Sequence, residues 1–194
     1  MKVNKFIIFS ICLVSLFSYA SDEGVPQFSD YSTKISTGPF VQKLDLTGEQ
    51  LQVTTKWKTF MQKELVAPVN FAGHYRVFIS KNAQFLKECG NDGWACGWII
   101  DKLTGRIVST LPVFNGNTKY HSTTDNGTPS PDAFDATYYP NSTMMLIYGE
   151  NSPPGDGSKI KCANSLYDFK DGVFKKILST DCDTDHGEDS GYGS

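Results

Sequence analysis

Four cysteines placed behind an export signal constrain this chain more than any other feature. Met1-Lys2-Val3-Asn4-Lys5 is a short cationic start, and residues 6–17 are almost wholly apolar. Ser18-Tyr19-Ala20 then sets small residues at the two positions a signal peptidase reads. Residues 1–20 are therefore expected to be a cleaved secretory signal, with the cut following Ala20. The apolar stretch is shorter than the roughly 20 residues a membrane span takes. Asp, Lys or Gly interrupts every later apolar run. Bulky Ile11 before Cys12 argues against a lipid-attached cysteine. Residues 21–194 are expected to be soluble in a periplasm or outside the cell, without membrane insertion.

Of the five cysteines, Cys12 leaves with the signal. Cys89, Cys96, Cys162 and Cys182 remain, an even set in an oxidising compartment, which implies disulfides. Four cysteines allow three connectivities. Cys89–Cys96 is favoured because it brackets the turn Gly90-Asn91-Asp92-Gly93. Cys162–Cys182 is favoured because strands on either side of an Asp171-Gly172 turn would bring those residues together, one position out of register. A four-cysteine zinc site wants pairs two to four residues apart. The spacings here are 7 and 20, and no Cys-x-x-Cys redox pair exists.

The 194 residues suit one domain with a sizeable core. Hydrophobic residues at 39% and aromatics at 13% exclude bulk disorder. Loss of Lys2 and Lys5 leaves 16 basic against 21 acidic groups. That balance has no footprint for a phosphate backbone, so no nucleic-acid partner is expected.

Residues 21–40 read as an extended lead-in. Thr47 with Gln50 resembles a capping box. From Glu49 to about Glu64 the absence of Pro and Gly, with Leu51, Trp57, Phe60, Met61 and Leu65 in a stripe, predicts one amphipathic helix. Phe71, Tyr75, Val77 and Ile79 alternate with His74 and Arg76, the period of a strand. Residues 97–100 and 107–111 form a hairpin about Leu103-Thr104-Gly105. Residues 144–148 read as a central strand, and residues 165–169 and 173–178 as the last hairpin. The expected fold is α+β, a mainly antiparallel sheet of about six hairpin-connected strands with one N-terminal helix. Residues 21–194 form a single globular domain in this reading. Residues 112–140 fit no regular pattern yet carry Tyr120, Tyr138 and Tyr139. Aromatics in such a loop point to a contact surface.

Asn70-Phe71-Ala72-Gly73-His74-Tyr75, the cysteine pair, and Ile100-Asp101 with Thr104-Gly105 resemble a group of small exported bacterial proteins of unassigned activity. That group has an Asn-Phe-Ala-Gly-His-Tyr segment, a close Cys pair and an Ile-Asp-x-x-Thr-Gly hairpin. The match covers residues 66–112 and 143–178. The resemblance implies export and a β-rich domain, and no catalytic residue.

The chain has no Gly-x-Ser-x-Gly elbow, no His-Glu-x-x-His and no phosphate-cradling glycine loop, so no cofactor is expected. His74 beside Arg76 is a candidate general base, although a histidine holding the strand entry is preferred. His121, four residues before Asp125, is the other catalytic candidate. Asp181, Asp183 and Asp185 alternate as in a calcium loop. His186 and Tyr192 stand where such a loop wants Gly and a carboxylate, so residues 183–194 read instead as an acidic, solvated tail. Trp98 reads as core. Trp94, with Asn91 and Asp92 in the glycine-rich cysteine loop, reads as a contact group.

The expected function is a periplasmic, disulfide-stabilised binding module, most concretely an inhibitor or immunity-type protein that docks another envelope protein. The alternatives are an envelope hydrolase using His74 or His121, and a calcium-dependent structural or adhesion protein.

Overall fold

The computed structural model describes residues 24–81, 84–90, 93–122 and 134–182. Its elements run in the order α1 (Thr55–Val66), β1 (Tyr75–Ser80), α2 (Leu86–Cys89), β2 (Trp94–Asp101), β3 (Arg106–Thr110), β4 (Tyr120–His121), β5 (Asp135–Tyr138), β6 (Met144–Asn151), β7 (Lys161–Lys170) and β8 (Val173–Asp181). Short 3-10 turns at Phe28–Tyr31 and Gly48–Gln52 precede them.

The strands form two antiparallel four-stranded sheets. In the first sheet β2 is central: β1 pairs with one edge, and β3 and then β4 share the other. In the second sheet the order is β5-β6-β7-β8. The architecture is the mostly antiparallel β fold expected, but with eight strands and a second helix among the described residues. The two unexpected strands, β4 and β5, lie within residues 112–140. Two and four residues long, they are too short to carry a period-2 pattern and are set by the strands they join.

The expected long helix is also divided. Thr47 and Gln50 cap the 3-10 turn, which ends at Gln52. Thr54 then breaks the run and becomes the N-cap of α1, its hydroxyl accepting from the Trp57 N–H at 3.2 Å. Trp57, Met61 and Leu65, at intervals of four, bury one face of α1. The helix stops at Val66, just before Ala67-Pro68, where helical backbone is disfavoured.

Alternation along β1 and β2 feeds two cores. Val77, Ala95 and Ile99 point between the sheets, where they meet Phe71, Leu111, Met145, Ile147, Tyr167 and Phe169. Trp98 and Ile100 point the other way, against Trp57, Met61, Leu65 and Phe85 of the helical layer. β2 is thus buried on both faces. A Cβ at Gly97 would lie 2.9 Å from Leu111 Cγ and 3.1 Å from the Phe78 carbonyl, so only glycine lets β3 and β1 close on it.

The sheets also meet along their edges. Gly73 N donates to Pro140 O at 2.7 Å, and Ala72 N to Tyr139 O at 3.3 Å. The β7–β8 turn, with positive φ at Asp171 and Gly172, rests against Val108 of β3. The lead-in is strapped across this frame: Thr33 N donates to Asn141 O at 2.9 Å, Ser36 N to Gly73 O at 2.8 Å, and Thr143 N to Tyr31 O at 2.9 Å.

Both disulfides form as expected. Cys89–Cys96 ties α2 to β2 and Cys162–Cys182 ties β7 to the residue after β8, with Cα separations of 5.7 and 5.4 Å.

Candidate functional site

A polar concavity lies where the short strand β4 meets β2. Trp94 pairs with His121 and Ala95 with Tyr120. Ser122 extends the pairing, donating to the Gly93 carbonyl from its N–H at 2.7 Å and its hydroxyl at 3.0 Å. Strand pairing sets Trp94 and His121 on one face, and their rings pack with centroids 4.4 Å apart.

The opposite wall comes from the end of β6. Asn151 and Ser152 are buried, and a tight Phe114–Asn117 turn binds them. Asn151 Nδ2 donates to Phe114 O at 2.7 Å, Asn115 Nδ2 to Asn151 O at 3.2 Å, and Asn117 Nδ2 to Ser152 O at 3.0 Å. The Ser152 hydroxyl lies 3.2 Å from His121 Nε2. Between these walls is a cleft of about 400 Å³ lined by Gly90, Trp94, Asn117, Lys119, Ser152 and Asp156, with Cys89 at its side. Asp156 is held below the usual carboxylate range by hydrogen bonds from Ser158 and Lys159.

The residues expected to act divide sharply in this frame. Trp94 and His121 come together. Tyr120 does not face outward: it is buried between the sheets, its hydroxyl donating to Pro112 O at 3.1 Å, and burial raises its pKa far above the phenol range. Its expected role as a contact group therefore gives way to a core role, because β4 turns alternate residues inward. Tyr138 packs on Phe71 and Tyr139 on Phe28. Tyr138 pairs with Met145, at the opposite end of β6 from Ser152. The seven residue steps from Met145 to Ser152 span roughly 23 Å, so the two tyrosines do not share the cleft.

His74 is placed at the entry of β1 with its Nε2 3.6 Å from Asp101 Oδ1 and its ring against Tyr75. Asp101 is already engaged in the β2–β3 turn, accepting from Leu103 N at 2.8 Å and Thr104 Oγ1 at 2.7 Å. The pair belongs to the turn and the strand entry. Asp181 is the exposed last residue of β8. Asn91, Asp92, Asp125, Asp183, Asp185 and the signal lie outside the described residues. Among the described residues no group of three or more metal-ligating side chains converges, and no helix is long and apolar enough to cross a membrane.

Sequence reasoning missed Ser152 and Lys119. Ser152 sits in Asn151-Ser152-Pro153-Pro154-Gly155, which reads as a plain connection. Only the pairing of β4 with β2 brings it to His121.

A second concavity, about 430 Å³ in volume, lies on the outer face of the second sheet. Val25, Pro26, Phe28, Met144, Leu146, Leu166 and Leu178 line it. Outward strand positions are usually polar where a sheet faces water, and here the row Leu146, Leu166, Leu178 is apolar.

Neither known protein families, nor curated proteins, nor solved structures yield a match to this chain.

Proposed function

We propose that this protein is an exported binding module that docks another envelope protein through the Trp94 cleft, in the manner of an inhibitor or immunity protein. One observation carries the reading. The β2–β4 pairing gathers an aromatic platform, a lysine and a carboxylate around a concavity whose walls are fixed by a disulfide and by side-chain amides. Preorganised walls of this kind lower the ordering cost of association. A half-buried tryptophan beside polar groups is the side chain that most often anchors protein contacts.

Other features support the same reading. Two disulfides on a small β frame suit an oxidising compartment. The excess of 21 acidic over 16 basic groups in residues 21–194 favours approach to a basic partner. The resemblance to small exported bacterial proteins points to a periplasm.

The test is retention of a periplasmic protein on the immobilised chain, compared with Trp94→Ala and Lys119→Ala. A single stoichiometric partner that the wild type retains, and that Trp94→Ala loses while still folded, is the expected result. Equal retention by all three forms, or none by the wild type, retires the reading.

A further inference from the structure

We propose that Ser152 and His121 form a nucleophile–base pair that cleaves short-chain carboxylic esters in the Trp94 cleft. This activity goes beyond docking and needs no partner protein.

A serine hydroxyl is a poor nucleophile at its own pKa and is activated by a base within about 2.6–3.2 Å. Ser152 Oγ stands 3.2 Å from His121 Nε2. Both groups are immobilised. His121 is fixed by its pairing with Trp94 and by ring packing at 4.4 Å, which sets the plane of the imidazole. Ser152 is fixed through its carbonyl, which accepts from Asn117 Nδ2 at 3.0 Å. Ser152 is only 3% exposed overall, yet it lines the cleft, so a molecule meets it there and not on the open surface.

The next residues, Pro153 and Pro154, carry no amide hydrogen. An oxyanion formed at the acyl carbon finds no amide donor on the two residues after Ser152, and Lys119 supplies a cation on the cleft wall. The volume of about 400 Å³ fits a small acyl group with its alcohol portion against the Trp94 ring.

The chemistry balances with water as the only co-reactant. Ser152 Oγ bonds to the ester carbon and its proton passes to His121 Nε2. The ester C–O bond breaks and the alcohol leaves with that proton. Water then adds to the acyl-serine while His121 accepts its proton. The acid departs and His121 returns the proton to Ser152.

The experiment uses the full processed chain with p-nitrophenyl acetate and a fluorophosphonate probe, followed by peptide mapping. A covalent adduct on Ser152 is expected. Ester turnover should fall by about 100-fold or more in Ser152→Ala and in His121→Gln, the usual range for loss of a nucleophile or base. His121→Gln retains Ser152, so loss of labelling there, with an unchanged melting temperature, separates base catalysis from a structural contact. No adduct on Ser152, or turnover unchanged in Ser152→Ala, overturns the proposal. Partner retention is read without the probe, so docking and catalysis can fail separately.

Discussion

Thr54 gives both its backbone N–H and its hydroxyl to one carboxylate oxygen of Glu88, at 2.9 and 2.6 Å. The residue that caps α1 is thereby tied to the residue before Cys89. The helical layer and the disulfide beside the cleft are one mechanical unit. Burial alone would raise the Glu88 pKa, but the two bonds from Thr54, together with the Glu88 N–H and the Lys87 charge, outweigh it and hold the carboxyl below the usual glutamate value. A carboxyl with a depressed folded-state pKa stabilises the fold above its unfolded value, and that contribution is lost as pH falls through the folded one. Glu88→Gln should cost about 1–3 kcal/mol at neutral pH by urea unfolding and should flatten the acid limb of the stability profile. An acid limb identical to the wild type would disprove the link.

The two disulfides should separate stability from recognition. Their sequence separations are 7 and 20 residues. By chain entropy the shorter loop contributes about 2.4 kcal/mol and the longer about 3.3 kcal/mol. Replacing Cys162 and Cys182 by Ala should lower the urea midpoint more. Replacing Cys89 and Cys96 should lower it less but release the wall of the Trp94 cleft. Partner retention and ester turnover would then fall although most molecules remain folded. The reverse ranking in both assays would count against the cleft as the working surface.

Alkaline pH should unfold the protein through its tyrosines. Burial raises the pKa of Tyr75, Tyr120, Tyr138 and Tyr167 above the ordinary phenol value of 10.0. An acid whose folded pKa is raised binds its proton more tightly in the native state. Its stabilisation is complete below the unfolded value and is lost as pH climbs above it. Buried Lys102 acts in the opposite sense, since burial lowers its pKa, but four phenols outnumber one amine. Tyrosinate absorbance should therefore rise in two steps, exposed groups first and the rest together with loss of near-ultraviolet circular dichroism. A single smooth titration with the fold retained is the contrary outcome.

Legibility in the sequence followed the strength of local pattern. Tyr75, Val77 and Ile79 alternate because one face of β1 is buried against Phe169 and its neighbours. The Asp171-Gly172 turn fixes the last hairpin, and with it the approach of Cys162 to Cys182. What escaped was whatever depends on a partner far along the chain. β4 is two residues long and exists because β2 extends past the end of β3. Tyr120 looked like a surface aromatic because the second sheet that buries it begins fifteen residues later. Thr54 and Thr55 interrupt the apolar stripe, which marks the helix start only once Glu88 is seen to hold Thr54. The Ser152–His121 contact spans 31 residues, and its one sequence signal is His121 itself, beside Tyr120 in a segment with no regular pattern.

Lys102 offers the sharpest contrast between an ion that matters and one that does not. It is 2% exposed, and its ammonium donates to the Leu65 carbonyl and, at 2.6 Å, to that of Ala67. These are orphan acceptors at the C-terminus of α1, where a cation also complements the helix dipole. The ammonium further lies 5.1 Å from the centre of the Phe40 ring. Lys102→Met keeps the volume of the stem but strands the carbonyls, at a cost of about 2–3 kcal/mol. The Arg106–Asp45 pair at 2.8 Å has better charge geometry on paper. Both of its side chains are more than half exposed, at 61% and 51%, so solvent and salt screen it. Asp45→Ala should leave the urea midpoint unmoved. Equal loss in the two variants would mean that burial is not what gives Lys102 its weight.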